Sequence, residues 1–206
     1  MSFRGAAFSA APDGDVRHDS EARSRFSNGA AAPLRWATLD QVHGSVVAVA
    51  VDEGPQGRGD ALITEIPDLT VAVFTADCVG VVVEAADAVA VIHAGWRGAA
   101  AGVVEATLQA LRDRGHLPER AEIGPAIGPC CYEVGDEVAS RFPGHVSSTT
   151  WGTTSVDLPA VVADAMAGVD VARADSCTRC DDRYFSHRRN GTAHRQAAVA
   201  WMRSTG

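Results

Sequence analysis

Two histidines and one cysteine stand inside sharply defined local sequences: Gln41-Val42-His43-Gly44, Ala76-Asp77-Cys78 and His93-Ala94-Gly95-Trp96-Arg97-Gly98. Two imidazoles and a thiolate can hold a tetrahedral zinc and leave its fourth position open to water or substrate. Each histidine taken alone reads more simply as a structural residue. Taken together, His43, Cys78 and His93 are candidate metal ligands, provided a fold joins segments that lie far apart in the chain. The same residues also permit a metal-free arrangement, in which Cys78 is a thiolate nucleophile, His93 its base, and Asp77 or His43 orients the imidazole.

The elements that must position these residues are partly legible. Apolar, β-rich runs over 69–74, 79–83 and 88–92 predict three strands, which places Cys78 and His93 at carboxyl ends where α/β proteins assemble ligand sites. Ala85-Ala86-Asp87 is short enough for a hairpin, so the sheet is expected to be mixed. Positions 45–51 are β-branched and apolar, and 52–59 read as a glycine-rich loop. Val103, Ala106, Leu108 and Leu111 share a stripe in one helix predicted over 99–114, with Gly115 as its stop. A short helix is expected within 135–142, a second from the Asp157-Leu158-Pro159 cap to about Met166, and a strand over 169–173. Positions 196–202 fit a last strand or helix. Residues 1–33 have no sustained period and read as a short opening strand followed by irregular chain. The fold class is therefore α/β (α+β): one compact domain over 1–206, with a mixed β-sheet core flanked by helices.

Composition narrows the function. The net charge of -8 at pH 7 offers no basic field for a nucleic-acid polymer or an anionic membrane. No apolar span of about 18 residues and no leader pattern occurs, so a cytoplasmic protein is expected, as a monomer or weak oligomer. The five cysteines, at 78, 130, 131, 177 and 180, are odd in number and read as reduced thiols. Cys177-Thr178-Arg179-Cys180 has the spacing of a zinc knuckle, yet no second CxxC accompanies it, so the expectation is incidental spacing.

With His93-Ala94-Gly95-Trp96-Arg97-Gly98, several further signatures occur in order: Gly59-Asp60-Ala61-Leu62-Ile63-Thr64, the glycine- and proline-rich stretch 123–135, Val156-Asp157-Leu158, Cys177-Thr178 and Phe185-Ser186-His187-Arg188-Arg189. The chain thereby resembles the YfiH-like family, also called the multicopper polyphenol oxidase or laccase-domain family. The resemblance implies a mixed-sheet α/β architecture with a surface pocket, and zinc on His43, Cys78 and His93, copper being the less favoured metal. It implies a purine nucleoside phosphorylase acting on adenosine, inosine or methylthioadenosine with inorganic phosphate, with adenosine deamination as an added activity. Arg97 is the first candidate for phosphate, with Arg188, Arg189 and Arg195 behind it, since guanidinium groups fork onto tetrahedral oxyanions. Asp77 is a candidate to orient a ligating histidine or polarise the base. A related branch implies amide cleavage in a peptidoglycan precursor, and a purine-binding regulatory protein is a third class. The chain departs from the family pattern in a shortened N-terminal part lacking a Thr-Arg-x-Gly-Gly element, in Gly80 for proline, in His187 for tyrosine, and in Ala193-His194-Arg195 for Thr-Gly-Arg. His187 and His194 are extra candidates for the pocket.

Overall fold

Apolar runs buried on both faces of the central strands set the architecture of this computed structural model, which describes residues 3–204. The expected unit 1–206 extends past them at both ends. In chain order the elements are β1 (Phe3–Phe8), α1 (Ser20–Ala30), β2 (Trp36–Asp40), β3 (Val47–Val49), β4 (Gly54–Arg58), β5 (Ala61–Thr64), β6 (Thr70–Thr75), β7 (Val79–Ala85) and β8 (Ala88–Ala94). There follow α2 (Trp96–Ala100), α3 (Val103–Asp113), β9 (Pro118–Ile123), α4 (Asp136–Ala139), β10 (Val146–Ser148), β11 (Thr154–Val156), α5 (Leu158–Asp164), β12 (Asp170–Arg173), α6 (His187–Asn190) and β13 (Gln196–Arg203).

Two mixed sheets result, one ordered β1-β13-β6-β2-β4 and the other β12-β9-β7-β8-β5-β3, beside a β10-β11 ribbon. Val71 and Val73 of β6, Ala198 and Ala200 of β13, and Val89 and Val91 of β8 meet in the layer between the sheets. Their neighbours turn outward by the period of two. Ala72 and Phe74 pack with Phe26 of α1, whereas Ala90 and Ile92 pack with Val104, Leu108 and Leu111 of α3. The molecule is thus a pair of stacked sheets between two helical layers, and a side chain as large as Leu108, fully buried, contributes roughly 1.5–3 kcal/mol. No helix among the described residues is long and apolar enough to cross a membrane.

The strands expected over 69–74, 79–83 and 88–92 are β6, β7 and β8, and β7 and β8 form the expected hairpin, with Ala85 opposite Ala88. Positions 196–202 resolve as strand β13, in antiparallel register with β1 and β6. Three expectations need correction. Residues 1–33 hold a helix, α1, whose N-cap Asp19 accepts from the backbone N–H groups of Glu21 and Ala22. Its sequence is largely polar, and only Ala22, Phe26 and Ser27 are buried, so tertiary packing rather than a broad apolar stripe holds it. The glycine-rich segment 52–59 is not simply a loop: β4 pairs in parallel with β2 at the sheet edge, where Pro55 is tolerated. The single helix expected over 99–114 is two helices, because Gly102 adopts φ 80° and restarts the chain as the N-cap of α3.

Candidate metal centre and active site

His43, Cys78 and His93 come from three segments at one end of the sheets. His43 lies in the bend after β2, Cys78 in the tight turn between β6 and β7, and His93 near the end of β8. Two of these segments need backbone conformations that side chains rarely adopt: φ is 60° at His43 and 94° at Asp77. The cause is visible in the hydrogen bonds. The buried carboxylate of Asp60, at the mouth of β5, accepts backbone N–H groups from Gly44 at 2.7 Å, His43 at 2.9 Å and Val42 at 3.3 Å, gathering the bend around itself. The same carboxylate takes His93 Nδ1 at 2.8 Å, which leaves Nε2 facing the cavity.

The three ligand atoms lie within 4.8 Å of one another, with Cys78 Sγ 3.9 Å from His43 Nε2. Gly95 closes the cradle, since a Cβ there would come within 2.8 Å of His43 Cδ2 and 3.2 Å of Cys78 Sγ. Gly98 of α2 does the same one turn on, where a Cβ would meet the Gly44 carbonyl at 2.8 Å. Two imidazoles and one thiolate, anchored from behind and converging in front, fit a zinc-type ion with an open fourth position.

Electrostatics agree with this geometry. Burial pushes the Cys78 thiol up, but hydrogen bonds and charge from His43 and His93 outweigh it and bring it down to about 6. Burial pushes His93 down, and Asp60 and Cys78 together lift it to about 9. Burial also opposes ionisation of Asp60, yet its bonds to His93, Gly44 and His43 hold it below the usual carboxylate value. Asp60 and the Cys78 thiolate thus hold a proton on His93 between them, and a metal at Nε2 would take that proton's place.

In front of the triad opens a cavity of about 420 Å³. Arg97, Arg188 and Arg195 line it, and so does Arg17, which comes from the N-terminal segment. Arg97 stacks on Trp96 with 4.3 Å between guanidinium carbon and ring centre. Trp96 both lines the cavity and packs against the α3-side core. Arg188 lies 5.0 Å above the Tyr132 ring and donates to the Glu133 carbonyl at 2.8 Å. Arg195 donates to the carbonyls of Thr192 and His194 at 2.9 and 2.8 Å. Arg189 takes no part in the cavity lining: its guanidinium donates to the carbonyls of Thr178, Asp181 and Tyr184 and braces the chain behind the wall.

Asp77 lines the cavity, but its side chain contacts neither histidine. Oδ1 accepts from Thr178 Oγ1 and Oδ2 from the Arg188 backbone N–H, both at 2.7 Å, so the residue ties two loops together. The orienting carboxylate is Asp60, inside the Gly59-Asp60-Ala61 signature. His187 lines the cavity; His194 packs edge-on against Phe185, with centroids 5.4 Å apart, and is not among the lining residues. Glu133 turns out of the cavity to accept from Trp151 Nε1 at 2.8 Å. Cys177 and Cys180, whose spacing was expected to be incidental, do not stand alone: the fold brings them to Cys130 and Cys131, with all four ligand atoms within 4.8 Å of one another.

A family model described as multi-copper polyphenol oxidoreductase laccase matches residues 7–203. Among related proteins, a purine nucleoside phosphorylase of Streptomyces coelicolor is 40% identical over 187 residues, covering 82% of this chain and 76% of its own. A purine nucleoside phosphorylase of Corynebacterium glutamicum is 37% identical over 187 residues, covering 83% of this chain and 76% of its own. The crystal structure of YlmD from Geobacillus stearothermophilus superimposes with a TM-score of 0.80 at 27% identity, covering 99% of this chain and 92% of that one. The chain belongs to the multi-copper polyphenol oxidoreductase laccase family, the YfiH-like family, and shares its mixed α/β fold.

Proposed function

We propose that this member of the family is a zinc-dependent purine nucleoside phosphorylase, in which inorganic phosphate attacks C1' of adenosine, inosine or methylthioadenosine and the free purine leaves. The observation that carries this reading is one cavity lined by three metal-competent side chains and four arginines, against one carboxylate already committed to the protein. That inventory suits a tetrahedral oxyanion beside a flat polar ring, and relatives named for this activity support it.

His43, Cys78 and His93 would hold the zinc, with Asp60 fixing the ring of His93. Zinc bound there supplies positive charge beside the reacting groups and an acidified water, the latter being what adenosine deamination requires. A multicopper cluster is less favoured, because among the described residues the imidazole and thiolate donors group as one three-ligand set rather than as a multi-histidine array. The chain's own residues do the binding. Arg97, Arg17, Arg188 and Arg195 place fixed positive charge around the anion, lowering its cost of desolvation. Trp96 and Phe74 offer apolar faces for a purine. Burial raises Tyr132 to about 12, so its hydroxyl keeps its proton at neutral pH and can donate to a phosphate oxygen or a purine nitrogen. Free thiols throughout suit a reducing compartment such as the cytoplasm.

The test is mass-spectrometric product analysis of the three nucleosides with and without phosphate, using metal-quantified protein and a Cys78→Ala control. Free base and sugar 1-phosphate are expected only with phosphate, and not in the control. Absence of turnover with zinc retained sinks the phosphorylase reading and leaves cleavage of a peptidoglycan-precursor amide or a binding role. A second reading, a metal-free thiol hydrolase, draws on the thiol of Cys78 brought down to about 6 beside two histidines. Activity that survives complete metal removal and is lost on alkylation of Cys78 selects it.

A further inference from the structure

We propose that Cys130, Cys131, Cys177 and Cys180 form a second metal site, a four-thiolate structural zinc centre separate from the His43, Cys78 and His93 triad. The inference does not rest on the phosphorylase reading.

The four sulfurs come from two loops on different parts of the chain. Cys130 and Cys131 follow the rigid Gly128-Pro129 turn, in which the N–H groups of Cys131 and Tyr132 both donate to the Gly128 carbonyl at 3.0 Å. Cys177 and Cys180 belong to a tight turn closed by donation from the Cys180 N–H to the Cys177 carbonyl at 3.1 Å and from the Asp181 N–H at 3.0 Å. A parallel bridge between Ala126 and Cys177 and a 3.0 Å bond from the Thr178 N–H to the Ala126 carbonyl dock one loop on the other. Cys180 Sγ then lies 3.7 Å from Cys130 Sγ and 3.3 Å from Cys131 Sγ, and all four sulfurs fall within 4.8 Å of one another. A tetrahedral zinc with bonds of about 2.3 Å sets its sulfurs about 3.8 Å apart, so small adjustments complete the coordination.

Three further features fit thiolate ligation. The Gly128 N–H donates to Cys177 Sγ at 3.2 Å, the kind of donor that stabilises a metal-bound thiolate. Gly128 also lies directly against the cluster, since a Cβ there would be in ordinary van der Waals contact with Cys130 Sγ at 3.4 Å and Cys177 Sγ at 3.7 Å. Arg189, spent on the carbonyls of Thr178, Asp181 and Tyr184, holds the outer turn and brings positive charge near a centre whose net charge would be negative. Four thiolates with no imidazole or carboxylate among them form a soft, closed set, and closure is what separates structural from catalytic zinc.

The position gives the metal a task. Cys131 precedes Tyr132, and the Cys177 loop is tied through Thr178 to Asp77, whose other oxygen holds the Arg188 N–H. Tyr132 and Arg188 both line the catalytic-side cavity. A zinc at the four cysteines would therefore fix the wall that carries them.

The experiment is zinc loading of the full chain under reducing conditions, followed by gel filtration and elemental analysis, with X-ray absorption at the zinc edge. About two zinc ions per chain are expected in the wild type, and about one each in Cys78→Ala and in Cys177→Ser/Cys180→Ser. Zinc retained by Cys78→Ala is expected to show four sulfur neighbours at about 2.3 Å, and this arm decides the matter even where the double variant fails to fold. Loss of all zinc in Cys78→Ala, a nitrogen-containing shell in that variant, iron in place of zinc, or peptides joined by a disulfide among these cysteines would each overturn the assignment, whereas a single zinc in the wild type that Cys78→Ala keeps would count against the triad alone.

Discussion

Asp60→Asn is nearly isosteric, yet it should damage both folding and metal binding, and the structure says by how much. The carboxylate is fully buried and serves four donors: His93 Nδ1 and the His43 N–H on Oδ1, the Gly44 and Val42 N–H groups on Oδ2. An amide keeps one acceptor face and turns N–H groups on the other. With its oxygen toward His93, it confronts the donors of Gly44 and Val42. Flipped, it drives the His93 proton onto Nε2, the nitrogen the metal needs. Either orientation loses charge-assisted bonds worth about 1.5–3 kcal/mol each and strands buried donors, for a total of roughly 3–5 kcal/mol. In a chain of this size that lowers Tm on the order of 10 °C. Loss of the orienting carboxylate should weaken the metal about 10- to 100-fold. Thermal unfolding of metal-free protein reads the first effect, and competition against a chromogenic chelator reads the second. A variant that unfolds within a degree or so of wild type and competes equally well would refute the role given to Asp60.

Gly95→Ala places its Cβ against His43 and Cys78, so metal affinity should fall at least ~10-fold, while overpacking costs about 1–3 kcal/mol; unchanged zinc retention against a chelator would contradict the cradle. Arg17→Ala should raise the KM for phosphate roughly 10-fold or more, with a smaller effect on nucleoside KM, and equal changes in both would remove Arg17 from the anion site. Glu65 accepts from Arg114 and His116, which bring its carboxyl down to about 2 from 4.5. Because the folded value is the lower one, its stabilisation is present above 4.5 and is lost as pH falls toward 2. The group is partly exposed, so Glu65→Gln should cost no more than ~1 kcal/mol at pH 7, and the gap to wild type should close on acidification. Chemical denaturation at a series of pH values measures it, and a gap that widens toward acid would reverse the sign argued here.

Much of the fold was legible where one physical rule dominated. β6, β7 and β8 are continuous apolar runs because both faces are buried, one against the other sheet and one against helices. The β7–β8 hairpin and the Asp157 cap of α5 follow from local chemistry alone, Asp157 accepting from the Ala160 N–H at 3.0 Å. Helix α1 and strand β4 were not legible, because each owes its existence to a partner distant in the chain. Phe26 of α1 packs in one cluster with Phe74 of β6 and Val199 of β13, and Thr38 of β2 lies opposite Pro55 of β4. The break at Gly102 was hidden for the opposite reason, since a glycine between two helical segments fits either a continuous helix or a restart until its φ is known.

At the site, adjacency in sequence misled where adjacency in space decides. Asp77 precedes Cys78 and so reads as the natural partner of a histidine, but its positive φ turns the carboxylate toward Thr178 and Arg188. The orienting role falls to Asp60, 33 residues from His93, whose signal was present only as one acid in a short signature at a strand mouth. The cysteines repeat the lesson. Cys177 and Cys180 lacked a second CxxC, yet the fold sets the Cys130-Cys131 pair beside them, delivered by a turn that no spacing rule describes. Arg188 and Arg189 show how fine the distinction is: adjacent in a short helical turn, one guanidinium lies over Tyr132 in the cavity and the other is consumed by carbonyls behind it. Residue type and motif therefore identify which groups can do chemistry, while the direction a strained turn gives each side chain determines which of them faces the substrate.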